Sequence, residues 1–302
     1  MGSLPRTVNA CQFAILRSKS CVCLCYNSCV GTLYLVATPI GNLEDISLRA
    51  LRILGEVTLI AAEDTRRTGK LLAHYQIKTP LISYFEHNKL ARGTKILEAL
   101  EENEVALVSD AGTPSLSDPG YELVQEAIAA GHRVSPIPGA SALLSALVAS
   151  GLPTNTFLFL GYIPRKENAR KKMLEELIDE PRTFIFFEVP HRLQESLAAL
   201  EDVFGAERPI AIGREMTKMH EEILRGSIAE MRTHFKKDAA RGELTLVIGG
   251  QLDPLSWSAE EVRIEVSNRL RSGLRPSKVA SEVAAESGWL RREVYKITQE
   301  AK

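Results

Sequence analysis

The chain has 302 residues, of which 45% are hydrophobic and 25% are charged, and its formal net charge at pH 7 is −1. This length and composition are typical of a globular protein with two domains that each bury a core. The near-neutral charge excludes a globally basic nucleic-acid-binding chain, although a local basic strip would be enough to bind RNA.

The first thirty residues differ in composition from the rest of the chain. They contain all five cysteines, Cys11, Cys21, Cys23, Cys25 and Cys29. These alternate too closely for the usual zinc spacing and have no nearby histidine, so we expect no metal site. The absence of acidic residues before Glu44 resembles a transit segment, and non-native sequence or an upstream start codon are alternatives. We expect residues 1–30 to be disordered and exclude them from the fold.

From residue 31 onward, short apolar runs alternate with helical patterns. The runs are 32–37, 57–61, 105–109, 157–160, 183–188, 209–213 and 244–249. This alternation predicts an α/β fold. Because the runs are continuously apolar, we expect strands covered on both faces in largely parallel sheets. Beyond the N-terminal segment no uncharged apolar run reaches about 18 residues, so we expect no transmembrane helix.

Gly and Pro residues divide the chain into three parts. The segment SGLPTN at 150–155 interrupts a helical stretch that begins near Ala140, and Asp253-Pro254 follows the last strand run. We therefore predict one α/β domain over 31–152, a second over 153–253, and a helical tail over 254–302. In the tail, residues 277–296 predict two helices about Gly288, which resembles a helix-turn-helix. We interpret the tail as an accessory that docks RNA.

Loops rich in Gly, Pro and acidic residues follow three predicted strands, at 38–45, 63–66 and 109–114. In open α/β sheets ligands bind beyond the carboxyl ends of the strands, so these loops predict a binding site. The alternative for any one loop is that Gly and Pro simply end the strand. G-x-G-x-x-G does not follow a strand, and G-x-x-x-x-G-K-[ST], G-x-S-x-G and H-E-x-x-H are absent, which disfavours dinucleotide, P-loop, serine hydrolase and zinc hydrolase chemistry.

Motifs in the same order along the chain resemble the signatures of the ribosomal RNA cytidine-2′-O-methyltransferase I family. In one-letter code they are GTLYLVATPIGNLED at 31–45, EDTR at 63–66, VSDAGTP at 108–114, SDPG at 117–120, PIPGASA at 136–142, PRTFIFFEVPHR at 181–192, REMTK at 214–218 and GELTLVIGG at 242–250. The resemblance covers about residues 31–300. It implies two α/β domains of the tetrapyrrole-methylase fold with S-adenosylmethionine between them, and a cytoplasmic homodimer.

The resemblance also implies which residues hold the methyl donor. They are Pro39, Gly41, Asp110, Ala111, Gly112, Thr113, Ser115, Pro138, Gly139, Ser141, Ala142, Phe187, Glu188, Leu244 and Thr245. The donor carries a sulfonium, an ammonium and a carboxylate, and Asp110 has the charge that its positive end requires. A cap of the following turn is an alternative role for Asp110.

The first loop departs from the Gly-x-Gly-x-Gly-Asp form of the tetrapyrrole-making branch of this fold. This puts porphyrinoid methylation in doubt and favours RNA. We therefore expect methyl transfer to a cytidine ribose 2′-hydroxyl in small-subunit ribosomal RNA, as free RNA or in the 30S subunit. The alternatives are a tetrapyrrole C-methyltransferase and a non-enzymatic nucleic-acid-binding regulator, although a regulator would not require the strand-end loops.

Methyl transfer to a hydroxyl is an in-line displacement in which alignment supplies much of the rate, so a base is optional. Candidate bases follow predicted strand ends and are Glu63, Asp64, Glu86 and His87. The alternative for the segment at 63–66 is a helix start, with Asp64 or Thr65 as the cap.

RNA phosphates require cationic partners. The candidates are Arg66, Arg67, Lys70, Arg165, Lys166, Arg170, Lys171, Lys172, His191 and Arg192. The alternative for the run at 165–172 is a solvated helix face.

Overall fold

A computed structural model describes residues 31–237, 241–251 and 257–300. Residues 1–30, for which we predict disorder, lie outside this part of the chain. Two five-stranded sheets and a helical extension make up the described residues. None of the helices within them is long and apolar enough to cross a membrane.

The first α/β domain contains a sheet in the order β3-β2-β4-β1-β5, with every strand pair parallel, as predicted. Helices cover both faces of this sheet and bury two apolar clusters, one on each side. Its elements are β1 (Thr32–Val36), α1 (Leu48–Glu56), β2 (Leu59–Ala62), α2 (Thr65–His74), β3 (Leu81–Ser83), α3 (Lys89–Leu100), β4 (Val105–Val108), α4 (Tyr121–Ala129), β5 (Arg133–Ile137) and α5 (Ala142–Ala149).

The second α/β domain contains a mixed sheet in the order β6-β7-β10-β8-β9. Its elements are β6 (Phe157–Tyr162), α6 (Glu167–Glu175), β7 (Thr183–Glu188), α7 (Leu193–Phe204), β8 (Pro209–Arg214), β9 (Glu222–Ser227), α8 (Ile228–Lys237) and β10 (Leu244–Ile248). Only β6 and β7 are parallel, so the expectation of a largely parallel sheet is wrong here. The apolar runs of β7, β8 and β10 arise because these strands are buried on both faces. Burial on both faces does not determine whether neighbouring strands are parallel or antiparallel.

Helix α5 joins the two sheets. Its residues Leu143, Ala146 and Leu147 are buried against Ile185 and Val247 of the second sheet. Two polar contacts flank this apolar seam: the Asn42 N–H donates to Thr217 Oγ1 (3.0 Å), and Arg225 Nε donates to the Ala149 carbonyl at the end of α5 (2.9 Å). The connection between α5 and β6 contains the boundary that we predict near residues 150–155.

Three helices form the C-terminal extension: α9 (Ala259–Arg271), α10 (Pro276–Ser287) and α11 (Arg291–Glu300). They bury a valine-rich core of their own. Gly288 ends α10 with a left-handed φ of 72°, which allows the sharp turn into α11. Arg269 of α9 pairs with Glu265, Glu282 and Glu286, so a single guanidinium ties α9 to α10.

Candidate active site

A cavity of about 280 Å³ lies between the two α/β domains. From the first domain, it is lined by the loops that follow β1, β2 and β4 and by the start of α5. The second domain contributes the ends of β6 and β7 and the start of β10. The chain leaves β1 and β4 toward opposite edges of the first sheet, and such switch points open a crevice in α/β sheets. The cavity is close in size to the smaller small-molecule sites, which begin at roughly 300 Å³.

The loops after β1 and β4 are fastened to each other. Thr38 and Gly112 exchange two backbone hydrogen bonds, of 2.9 and 3.0 Å, and Gly112 has a φ of 79°. Farther along the β4 loop, Ser115 and Ser117 also have positive φ, of 68° and 65°. Such conformations cost free energy in residues with a side chain and concentrate at functional sites, which indicates that the loop is held in shape for a ligand.

Three acidic residues meet at the ends of β2 and β4. The Asp110 N–H donates to Glu63 Oε2 (3.2 Å), and the Asp64 N–H donates to Asp110 Oδ1 (3.0 Å). Arg67 of α2 lies 3.3 Å from the other Asp110 oxygen. Asp110 is therefore held in one orientation by an amide and a guanidinium, while it and Glu63 both line the cavity.

The residues that line the cavity are strongly acidic. Five carboxylates, Glu63, Asp110, Asp118, Glu188 and Glu243, accompany a single guanidinium, that of Arg67. Burial raises the pKa of Asp118 to about 6, with the charge of Glu63 acting in the same direction. Burial also raises the pKa of Glu63, although the hydrogen bond from the Asp110 amide opposes this. A cationic ligand would relieve the repulsion between these carboxylates.

On the second-domain side of the cavity, Glu188 and Glu243 interact with other residues of the same domain. Glu188 is buried, accepts hydrogen bonds from the Ser196 hydroxyl and from the Val189 N–H (2.8 Å), and lies 3.5 Å from Arg192. Lys218 lies 2.8 Å from Glu215 and 3.4 Å from Glu243. Glu188 is therefore a fixed part of the wall, whereas Glu243 is mostly exposed.

Most of the predicted donor-binding residues line this cavity. They are Asp110, Ala111, Gly112, Thr113, Ser141, Ala142, Phe187, Glu188, Leu244 and Thr245. Pro39 lines a smaller adjoining cavity that shares Arg67 and Asp110. Four predicted donor-binding residues line neither of these cavities: Gly41, Ser115, Pro138 and Gly139. Gly41 instead lies against Thr217 and Lys218 of the second domain.

Of the four candidate bases, only Glu63 lines the cavity. Asp64 caps α2, accepting the Arg66 N–H at 2.8 Å, and the hydrogen bonds from Arg66 hold the pKa of Asp64 well below its usual range. The capping alternative therefore describes Asp64. Glu86 forms an ion pair with Lys89 (2.8 Å), and His87 lies beside Phe85 outside the cavity. Asp64, Glu86 and His87 therefore lie outside the wall of this cavity.

Two of the predicted RNA contacts, Arg170 and Arg192, have partners inside the protein, and Arg170 is buried. Arg170 lies on the inner face of α6, 4% exposed, and pairs with Glu195 of α7 (2.6 Å). Arg192 donates to the Ile163 carbonyl and supports Glu188. The basic run at 165–172 therefore includes part of the amphipathic helix α6, in which Arg170 faces inward. The remaining candidates, Arg66, Arg67, Lys70, Arg165, Lys166, Lys171, Lys172 and His191, are exposed or partly exposed.

Several residues of the cavity wall are not among the predicted sites. These are Ile40, Leu116, Ser117, Asp118, Tyr162, Val189, Pro190, Gly242 and Glu243. The SDPG and GELT segments contain Asp118 and Glu243, so proximity to a motif could have nominated these two. Tyr162 follows an apolar run and carried no comparable signal.

Comparison with known proteins places this architecture in a class. Residues 32–232 match the family described as Tetrapyrrole (Corrin/Porphyrin) Methylases. Among solved structures, a cobalt precorrin-4 methyltransferase aligns over 74% of this chain and 96% of its own, with a TM-score of 0.57 and 17% identity. A uroporphyrin-III-C-methyltransferase from Thermus thermophilus covers 72% of this chain and 94% of its own, with a TM-score of 0.51 and 23% identity. The fold is that of the tetrapyrrole methylases.

Relatives of much higher identity define the family more closely. A protein of Synechocystis sp. named ribosomal RNA small subunit methyltransferase I is 46% identical over 90% of this chain and 98% of its own length. Proteins of the same name from Pseudomonas aeruginosa and Bacillus subtilis are 47% and 44% identical, over 87% and 88% of this chain and 94% and 93% of their own. The chain belongs to the ribosomal RNA small subunit methyltransferase I family.

We predict that Asp118→Asn stabilises the fold at neutral pH. The pKa of about 6 in the folded state lies above the ordinary value of 3.8, so the folded state is favoured when Asp118 is protonated. That contribution is complete below pH 4 and is lost as pH rises through 6. Urea unfolding should give the variant on the order of 1–2 kcal/mol more stability at pH 7.5, after allowance for solvent screening, and a smaller gain at pH 5.

The matched control for this measurement is Asp179→Asn, which removes an exposed carboxylate outside the cavity and should change stability little at either pH. A variant at position 118 that is less stable than wild type at pH 7.5 would show that the Asp118 charge is compensated within the fold.

Proposed function

We propose that the protein transfers a methyl group from S-adenosylmethionine to the ribose 2′-hydroxyl of a cytidine in small-subunit ribosomal RNA. The names of the relatives support small-subunit ribosomal RNA as the methylated molecule, and the motifs that resemble the cytidine-2′-O-methyltransferase I family support the cytidine 2′-hydroxyl. The acidic cavity between the two domains is the observation that carries the proposal, because a sulfonium donor is cationic where it reacts.

The cavity lies between the two domains, where the donor is expected, and its charge is complementary to that of the donor. Asp110 and Glu63 provide the negative charge that a sulfonium and an ammonium require. The start of α5 at Ser141 and Ala142 offers the positive end of a helix to a carboxylate. When bound there, S-adenosylmethionine supplies an activated methyl group.

Glu63 is the residue that we propose as proton acceptor. The ribose hydroxyl gives its proton to the Glu63 carboxylate while its oxygen forms the bond to the methyl carbon, and the carbon–sulfur bond breaks to leave a neutral thioether. The raised pKa of Glu63 suits a group that must take up a proton. Alignment within the cavity supplies the larger part of the acceleration.

Two basic surfaces are suited to RNA. On α2, Lys70 lines the smaller adjoining cavity and Arg66 is exposed on the same helix. At the other surface, the solvent face of α11 presents Arg292, Tyr295, Lys296 and Gln299, which are types of side chain that contact phosphates and bases. We propose that α11 docks the RNA and that the α2 edge guides the target nucleotide into the cavity.

We further infer a cytoplasmic homodimer. Leu144 and Val148, one turn apart on α5, are 49% and 74% exposed, and such an apolar face is typical of a surface covered by a second copy. Light scattering of the purified chain distinguishes a dimer from a monomer.

The direct test is methyl transfer from labelled S-adenosylmethionine to small ribosomal subunits from a strain that lacks the modification. We expect a 2′-O-methylcytidine product, identified by mass spectrometry of the nucleosides. Donor binding without labelled RNA would move the substrate to a tetrapyrrole or another small molecule. Absence of donor binding would leave the non-enzymatic regulator.

For the donor site, we predict that Asp110→Asn weakens S-adenosylmethionine binding about tenfold, as expected for loss of about 1.4 kcal/mol. The amide oxygen can still accept the Asp64 N–H, so the variant removes charge and leaves the loop in place. Isothermal titration calorimetry measures the affinity, with Asp202→Asn on the exposed side of α7 as the control. Unchanged affinity would place Asp110 outside the donor site.

For the RNA surface, we predict that Arg292→Glu combined with Lys296→Glu weakens RNA binding and lowers the salt dependence of log K by about 1.4–1.8, since two phosphate contacts are lost. Donor binding should not change. The control is Arg263→Glu combined with Lys278→Glu, which makes the same charge change at residues already close to acids, at 3.9 and 3.8 Å. If both double variants weakened RNA binding equally, the effect would come from the change in net charge, and α11 would not be the specific RNA-docking surface.

A further inference from the structure

A β-bulge directs the ring of Tyr162 into the cavity. In the pairing of β6 with β7, Phe159 is opposite Ile185 and Tyr162 is opposite Phe187, so β6 contains one extra residue between these pairs. Gly161, with a φ of 66°, adopts the left-handed conformation within this irregularity. Bulges next to active sites commonly change the direction of a side chain.

The effect of the bulge follows from the alternation along β6. Phe157 and Phe159 pack on the face that meets α5, whereas Leu158 and Leu160 pack in the core of the second domain. Strict alternation would place residue 162 with the leucines. The extra residue instead places Tyr162 on the same side as Phe159, at the cavity.

The ring of Tyr162 is held in place and still accessible. Its centroid lies 5.7 Å from that of Phe187, which in turn lies 5.0 Å from Phe159, and both contacts are edge-on. Tyr162 nevertheless remains 51% exposed. The three rings form an aromatic row that leaves the outermost ring open to a planar ligand.

Two carboxylates stand near this ring. Asp118 and Glu243 line the same cavity as Tyr162. Burial raises the pKa of Tyr162, with the charges of Asp118 and Glu243 acting in the same direction. The phenol therefore remains neutral at physiological pH, and the two carboxylates that line its cavity are hydrogen-bond acceptors.

We propose that Tyr162 is the stacking platform for an unstacked cytosine base, and that Asp118 and Glu243 accept hydrogen bonds from its exocyclic amine. This inference rests on the proposed function. A ribose hydroxyl can reach so small a cavity only if its nucleotide leaves the RNA stack, and aromatic side chains stabilise such bases. At the corresponding atom uracil has a carbonyl oxygen, which a carboxylate repels.

The first experiment compares Tyr162→Ala with Tyr162→Phe. With small ribosomal subunits as substrate, we expect Tyr162→Ala to lower kcat/KM at least tenfold, mainly through KM, and Tyr162→Phe to recover most of the loss, since stacking needs the ring and not the hydroxyl. Affinity for S-adenosylmethionine without RNA should stay within twofold of wild type. Tyr121→Ala, which removes an exposed tyrosine outside the cavity wall, is the control.

A tenfold loss of S-adenosylmethionine affinity in Tyr162→Ala would overturn the proposal, because the ring would then stack on the adenine of the donor. Unchanged kcat/KM in that variant would also overturn it. Both results differ from failure of the proposed function, in which the wild-type protein itself forms no 2′-O-methylcytidine.

The second experiment tests the carboxylates through base selectivity. RNA that carries cytidine or uridine at the methylated position is offered to wild type and to the double variant Asp118→Asn with Glu243→Gln. Amides can pair with either base, so we expect the ratio of kcat/KM values for cytidine over uridine to fall about tenfold. Any effect on donor binding cancels in this ratio, and an unchanged ratio would overturn recognition of the amine.

Discussion

The apolar seam between α5 and the second sheet is the interaction on which the site depends. Leu143, Ala146 and Leu147 are buried against strands of the other domain, so the loops from both domains face each other across a fixed gap. Such a seam is favourable because it removes apolar surface from water, and it has little directional preference of its own. The Asn42–Thr217 and Arg225–Ala149 hydrogen bonds supply direction and set how the two domains meet around the cavity.

That fixed gap allows the protein to hold an unfavourable arrangement of charges. Carboxylates from both domains line one small cavity, and the positive φ angles of Ser115 and Ser117 add backbone strain. The fold offsets these costs through the buried cores of its two sheets. The carboxylates that line the cavity repel one another, and a bound cation would reduce this repulsion. The clustered negative charge that lowers the stability of the fold therefore favours binding of a cationic donor over neutral molecules of similar shape.

The sequence predicted the central strands and their loops because buried strands leave continuous apolar runs. The apolar runs do not include β3, β5 and β9, which lie at sheet edges, where one side meets solvent and the run breaks down. The edge strand β6 does have such a run, because its side chains pack against both α5 and the core of the second domain. Within the site, Asp110 and Glu63 follow central strands and were predicted. The position of Tyr162 in the cavity depends on a β-bulge, and the burial of Arg170 depends on the packing of α6 against α7. Neither feature can be predicted from a linear sequence pattern. These features arise from tertiary contacts.

The near-zero net charge of the chain is the sum of 37 basic and 38 acidic residues, which are unevenly distributed over the described part of the structure. Acidic residues are concentrated in the cavity. In contrast, α9 and α10 together contain four basic and five acidic residues, and Arg269 pairs with three of those acids. The exposed Arg292 and Lys296 of α11 therefore face solvent on a helix whose neighbours carry little uncompensated negative charge. RNA phosphates would be repelled by the cavity itself and attracted by this helix. On the proposed arrangement, an acidic site can act on a polyanion because the surface proposed to bind the RNA and the cavity proposed to receive one nucleotide are different parts of the molecule.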